Sequence, residues 1–158
     1  MATLIILLSI IGGSILIDQI VKIIISSTMS VGETVPVITD IFHFTYIRNE
    51  GAAFGMLSEH RWVFMIISTV TIIGIGIALY TGHIDGMRYG VCLSAIISGG
   101  IGNMIDRVAL GYVVDFIDFR LIDFAVFNGA DAFVCVGAGF MILFLVLDIV
   151  KEAKEAKK

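Results

Sequence analysis

The sequence is poor in charge and almost without proline. Only 15% of its 158 residues are Asp, Glu, Lys or Arg, and Pro36 is its single proline. A soluble domain is usually about a quarter charged, so a water-facing surface of ordinary extent is excluded. The formal charge of -4 comes with no basic stripe, which excludes a nucleic-acid partner. Two cysteines, Cys92 and Cys135, make no disulfide framework and read as inert buried thiols in opposite leaflets. His43, His60 and His83 do not fall at HExxH spacing, no GxSxG elbow occurs, and no cysteine neighbours a histidine. Zinc-peptidase, serine-hydrolase and cysteine-protease chemistries therefore lack their sequence signatures.

What is present is apolar. Hydrophobic residues make up 58% of the chain and the mean hydropathy is +1.03, the composition of an integral membrane protein. A helix needs about 20 residues to cross the hydrocarbon core. Four segments qualify, approximately 3–27, 61–80, 88–107 and 130–150, and the fold expected is a membrane α-helical, four-transmembrane-helix bundle forming one integral membrane domain over 1–158. Segment one lacks a basic start and carries Asp18 and Lys22 where a cleavable signal core is apolar, so it is expected to remain as a span. Asp18 and Lys22 stack on one helix face, as an ion pair that also faces a polar cavity in the bundle. Ser26, a further turn on, suggests a Ser-Lys nucleophile, but Asp18 keeps that lysine protonated and useless as a base.

Between the first two segments, a turn at Thr39-Asp40 separates Val35–Ile38 from Ile41–Ile47. Alternation puts Phe42, Phe44 and Tyr46 on one face and His43 and Thr45 on the other, which predicts strands within an extracytoplasmic β region over 33–55. Such a platform fits a place against the bilayer surface. The small residues of Arg48-Asn49-Glu50-Gly51-Ala52-Ala53-Phe54-Gly55 allow close backbone approach. Segment two, ending in Trp62 and Tyr80 like an interfacially anchored span, reads as scaffold, and His83 as a solvated loop residue.

The stretch Gly99–Asp131 holds the unexplained polar groups. Segment three ends in Asn103, Asp106 and Arg107, a loop carries Asp115 within Val113–Ile117, and segment four opens with Asn128 and Asp131. Polar groups at membrane depth are functional suspects. Asp106 beside Arg107 reads as a structural ion pair; Asp115 and Asp131 read as a catalytic pair. With four spans, parity gathers Asp18, Asn49, Asn103, Asp106, Arg107, Asp115, Asn128 and Asp131 in one leaflet. The lysines at 151, 154, 157 and 158 with Arg88, against Arg48, Arg61, Arg107 and Arg120, place both termini in the cytoplasm and the carboxylates outside.

Two close carboxylates split their pKa values, so one acts as base on a water while the other protonates an amide carbonyl. Asp131, at a helix N-terminus, favours the charged form. Asp115, among Val and Phe, is the easier to protonate. The structural counterpart of this reading is a buried polar network holding four helices in register, or an ion-conducting path.

Five ordered motifs carry a resemblance: Asp18-Gln19-x-x-Lys22, Arg48-Asn49-x-Gly51-Ala52-Ala53-Phe54-Gly55, Gly102-Asn103-x-Ile105-Asp106-Arg107, Gly111-x-Val113-Val114-Asp115-Phe116 and Phe127-Asn128-x-Ala130-Asp131. In these the chain resembles the bacterial lipoprotein signal peptidases, the type II signal peptidases of the inner membrane. The resemblance implies an aspartyl endopeptidase with no metal or cofactor, in the bacterial cytoplasmic membrane with its site toward the extracytoplasmic side. It implies a substrate prolipoprotein, cut just before a cysteine that already carries diacylglycerol. It also implies Asp115 and Asp131 as the dyad, with Asn49, Asn103, Asp106, Arg107 and Asn128 positioning substrate and ordering the site, and Asp18 at a polar supporting position. The region 33–55 corresponds to a cradle holding the substrate beside membrane lipid. All required groups lie in one chain, which fits a monomer. Gly100 stands where alanine is common in the family, and Ala132 where a hydroxyl residue is frequent. A presenilin-like protease would want a GxGD stretch, which is absent. The rival from another class is a small proton-coupled transporter or channel with Asp18, Asp106 and Asp131 as relay, although the halves show no internal repeat.

Overall fold

The computed structural model describes residues 2–51, 61–82, 86–122 and 124–156, and within 61–82 every side chain but those of Arg61 and Phe64. Ala52–Gly55 of the small-residue motif, His60, His83, Lys157 and Lys158 lie outside the described residues. Helix α1 spans Ala2–Thr28, followed by strands β1 (Thr34–Ile38) and β2 (Phe42–Asn49). Helices α2 (Arg61–Tyr80) and α3 (Met87–Ala109) come next, then strand β3 (Val113–Phe119), a 3-10 turn at Arg120–Ile122, and helix α4 (Gly129–Glu155). Helices α1, α3 and α4 are each long and apolar enough to cross a membrane, and α2 adds an apolar stretch over Met65–Tyr80. At 1.5 Å per residue the 27-residue α1 and α4 reach about 40 Å.

Helix α3 is the centre of the bundle and packs against α1, α2 and α4. Glycines on both helices set how closely α3 and α4 approach. A Cβ at Gly99 would stand 2.2 Å from the Ala130 carbonyl oxygen, and one at Gly137 would stand 2.7 Å from that of Cys92. Backbone-to-backbone approach of this kind is how helices associate where water supplies no hydrophobic drive. The leucines, isoleucines and valines of α1, α2 and α4 are mostly exposed, as lipid-facing surfaces are. At the far end of the bundle, Arg88 and Tyr89 of α3 both donate to Asp148 of α4.

The sheet is antiparallel in the order β1-β2-β3. Its third strand corrects the expectation of a loop around Asp115. Val113 to Phe116 are all buried, and a strand covered on both faces shows a continuous apolar run rather than alternation. Register between β2 and β3 shifts by one residue between Phe44 and Ile47. Phe44 pairs with Ile117, but Ile47, not Tyr46, pairs with Asp115. A one-residue slip exchanges the two faces of a strand. The bulge turns Asn49 onto the face that carries Asp115. Tyr46 joins Ile25, Val114 and Phe116 in a core cluster against which Phe44 also packs.

Candidate active site

Three short pieces of chain bring the polar residues together. Phe116 and Ile117 of β3 donate their N–H groups to the Phe127 carbonyl at 2.9 and 2.7 Å, and Phe127 donates back to Ile117 at 3.1 Å. This bridge fixes Asp115 against the residue that precedes α4. Asn128 then caps α4: its Oδ1 accepts from the Asp131 N–H at 3.0 Å, while Asp131 Oδ2 accepts from the Asn128 N–H at 3.3 Å. The reciprocal cap locks the Asp131 side chain back over the helix end. Asp18 of α1 reaches the same end, its Oδ1 accepting from the Ala130 N–H at 2.9 Å. A carboxylate there satisfies a free helix donor and the macrodipole together.

Side-chain amides link the two carboxylates. Asn128 Nδ2 donates to Asp115 Oδ1 at 2.6 Å, and Asn49 Nδ2 donates to Asp115 Oδ2 at 2.8 Å. Asn103 Nδ2 donates to Asp131 Oδ1 at 2.7 Å. Asn128 Nδ2 also reaches Asn103 Oδ1 at 3.1 Å, closing the link. Asp115 and Asp131 line one cavity of about 680 Å³, together with Asn49, Gly51, Asn103 and Arg107, and with apolar walls from Val113, Phe124, Val126, Phe127 and Val134. A large apolar pocket with a few converging polar groups is the ordinary form of a substrate site. Burial pushes the Asp115 carboxyl up to about 6, opposed by the Asn49 and Asn128 amides and reinforced by the charge of Asp131. Among the described residues, no group of three or more His, Cys, Asp or Glu side chains is placed to hold a metal ion.

Two sequence expectations need correction here. Asp106 pairs with Lys22, Nζ to Oδ2 at 2.8 Å, rather than with its neighbour Arg107. Adjacent helix residues point about 100° apart, whereas Lys22 faces Asp106 across the α1–α3 contact. Arg107 turns to the cavity and donates to the carbonyls of Gly51 at 3.2 Å and Asn103 at 3.4 Å. Cys135 is exposed and lines the cavity, while Cys92 is buried as expected. The expected contact of Lys22 with Asp18 is present at 2.9 Å. The place of Lys22 behind the two carboxylates was not foreseen. The available signal was that an intramembrane cation wants more than one anion.

Residues 10–147 match the family described as signal peptidase (SPase) II. The chain belongs to that family. A lipoprotein signal peptidase of Brevibacillus brevis is 45% identical over 132 residues, 84% of this chain and 89% of the relative. That of Halothermothrix orenii is 47% identical over 133 residues, 83% and 88% of the two chains. Two solved bacterial membrane enzymes share the fold. One has a TM-score of 0.85 at 34% identity, covering 90% of this chain and 88% of its own. The other has a TM-score of 0.80 at 35% identity, covering 88% and 91%. This chain is thus a membrane-embedded protease of the signal peptidase II type, built as a four-helix bundle with a small sheet. The transporter reading finds no support among these relatives.

Proposed function

We propose that this signal peptidase II cleaves the signal peptide from diacylglyceryl-modified prolipoproteins, just before the lipid-bearing cysteine, with Asp115 and Asp131 as its catalytic dyad. The carrying observation is the amide-linked placement of both carboxylates on one cavity wall, at the junction of a strand and a helix end. In this scheme Asp115, buried in the strand, carries the proton, and Asp131, held by the helix cap, is the base. Asp131 takes a proton from a water whose oxygen attacks the scissile carbonyl carbon, and Asp115 gives its proton to the carbonyl oxygen. Collapse of the tetrahedral adduct breaks the C–N bond as the proton held by Asp131 passes to the leaving nitrogen, while Asp115 recovers its own from the adduct hydroxyl.

Asn49 and Asn128 orient Asp115, Asn103 orients Asp131, and Arg107 presents its guanidinium on the cavity wall. The lipid anchor holds the scissile bond at a fixed depth, so a dyad on element ends at that depth meets it pre-aligned. The site faces the extracytoplasmic side of the bacterial inner membrane, where the sheet of β1, β2 and β3 cradles the substrate next to lipid, and one chain suffices. The deciding experiment is processing of a diacylglyceryl-modified prolipoprotein in detergent. Asp115→Asn and Asp131→Asn are each expected to fold and to abolish cleavage; full processing by either folded variant removes the mechanism.

A further inference from the structure

Lys22 takes no part in that hydrolytic scheme, yet it is only 2% exposed. A buried ammonium at bilayer depth is costly and calls for a reason. Its Nζ lies 2.9 Å from Asp18 Oδ2 and 2.8 Å from Asp106 Oδ2. Those two carboxylates already exceed its charge. Its third bond, at 2.9 Å, goes to an uncharged group, Asn103 Oδ1, and Asn103 is the amide that touches Asp131.

An ammonium has donors and no acceptor. Any amide facing it must present oxygen. With Asn103 Oδ1 turned to Lys22, Asn103 Nδ2 is left for Asp131 Oδ1. The same oxygen accepts from Asn128 Nδ2, whose own oxygen is occupied by the Asp131 N–H, so Asn128 Nδ2 also points at Asp115. Asn103 Oδ1 thus accepts from both Lys22 and Asn128, and each of the two amides donates an N–H to a dyad oxygen. Without the cation, the Asn103 oxygen keeps only its bond from Asn128 Nδ2, and the amide is held in this sense less firmly.

We infer that Lys22 is a positioning residue for proteolysis: it fixes the sense of the Asn103 amide, which holds Asp131 and accepts from Asn128, and thereby the alignment and protonation of the dyad. The inference rests on the dyad proposed above. The charged and titratable groups around these bonds are Asp18 on α1, Asp106 and Arg107 on α3, Asp115 on β3 and Asp131 on α4, with Tyr112 near enough to Asp106 to sense its charge.

Lys22→Gln alone leaves buried carboxylates unbalanced, so the test is Lys22→Gln/Asp106→Asn, which removes one charge of each sign, compared with Asp106→Asn. Thermal unfolding, kcat, KM and the pH profile of kcat/KM are measured on detergent-purified protein with a diacylglyceryl-modified prolipoprotein. Expected is a double variant that unfolds no earlier than the single one, with KM little changed. Its kcat is expected to be lower by on the order of 100-fold, as for misaligned reacting groups, and the alkaline limb of its profile to lie at higher pH, since a nearby positive charge has gone. A double variant with the kcat and pH profile of the single one overturns the inference, leaving Lys22 as a counter-ion. So does failure of the double variant to fold, which would assign the residue to stability. Asp115→Asn in the same assay separates the two readings: its activity would remove the dyad itself, whereas its inactivity beside an unaltered Lys22 double variant removes this inference alone.

Discussion

At the scale of single residues, Asn128 does two jobs that substitution can divide. Its oxygen caps α4 and its Nδ2 serves Asp115 and Asn103. Serine caps a helix about as well as asparagine but is too short to reach Asp115 and Asn103 as well. Asn128→Ser is therefore expected to lose activity on the order of 100-fold through misalignment, and Asn128→Ala to lose the same activity plus about 1 kcal/mol of cap stability. Steady-state kinetics with thermal unfolding of both variants checks this; equal unfolding temperatures would deny the cap its role. Asp115 carries the second prediction at this scale. Its carboxyl titrates near 6, above its ordinary 3.8, because it is buried. The folded chain therefore binds this proton more tightly than the unfolded one. The resulting stabilisation is full below about pH 4 and is lost as pH rises toward 6. The proposed mechanism needs one proton on the dyad, so kcat/KM should fall on an alkaline limb that begins near pH 6 in the free enzyme, the apparent value belonging to the pair.

Elements show why some of this was legible and some not. The helices were readable because long apolar runs admit few alternatives at membrane depth. The capping of α4 was foreshadowed by Asn128 and Asp131, three residues apart at the start of an apolar run. The third strand was hidden, because Val113–Phe116 is buried on both faces and shows no period of two. The β2 bulge was hidden as well, since alternation in a sequence says nothing of where an extra residue enters, and it is this bulge that delivers Asn49 to Asp115. Pairing across helices was the third blind spot: Asp106 found Lys22, far away in the chain, over the neighbour that looked more convenient. The glycines of α3 give a prediction at this scale. Gly99→Ala drives a Cβ into the Ala130 carbonyl, so α4 must move, and with it Asn128 and Asp131. It should lower both the unfolding temperature and activity. Gly74→Ala and Gly139→Ala meet nothing within 4 Å and, being ordinary helix positions, should leave stability equal or raised by about 0.5–1 kcal/mol. A Gly99→Ala variant as stable and active as those controls would show that the close α3–α4 contact does not hold the site.

Across the whole molecule, the polar residues are divided unequally between the two ends. One end carries the sheet, the cavity and the cluster of Asp18, Lys22, Asp106, Asp115 and Asp131; the other is closed by the tie of Arg88 and Tyr89 to Asp148. Lysines 151 and 154 follow directly on that second end, and cytoplasmic flanks collect Lys and Arg. The proposed orientation makes a definite demand on labelling. Asp40, at the exposed turn between β1 and β2, and Ala156, at the end of α4, lie on opposite sides of the membrane in this arrangement. In a background with Cys92 and Cys135 replaced by serine, Asp40→Cys should react with a membrane-impermeant maleimide added outside intact spheroplasts, and Ala156→Cys only after lysis. The reverse pattern would turn the dyad toward the cytoplasm, away from a substrate processed at the outer face, and would remove the proposed localisation while leaving the chemistry of the cavity to be tested on its own.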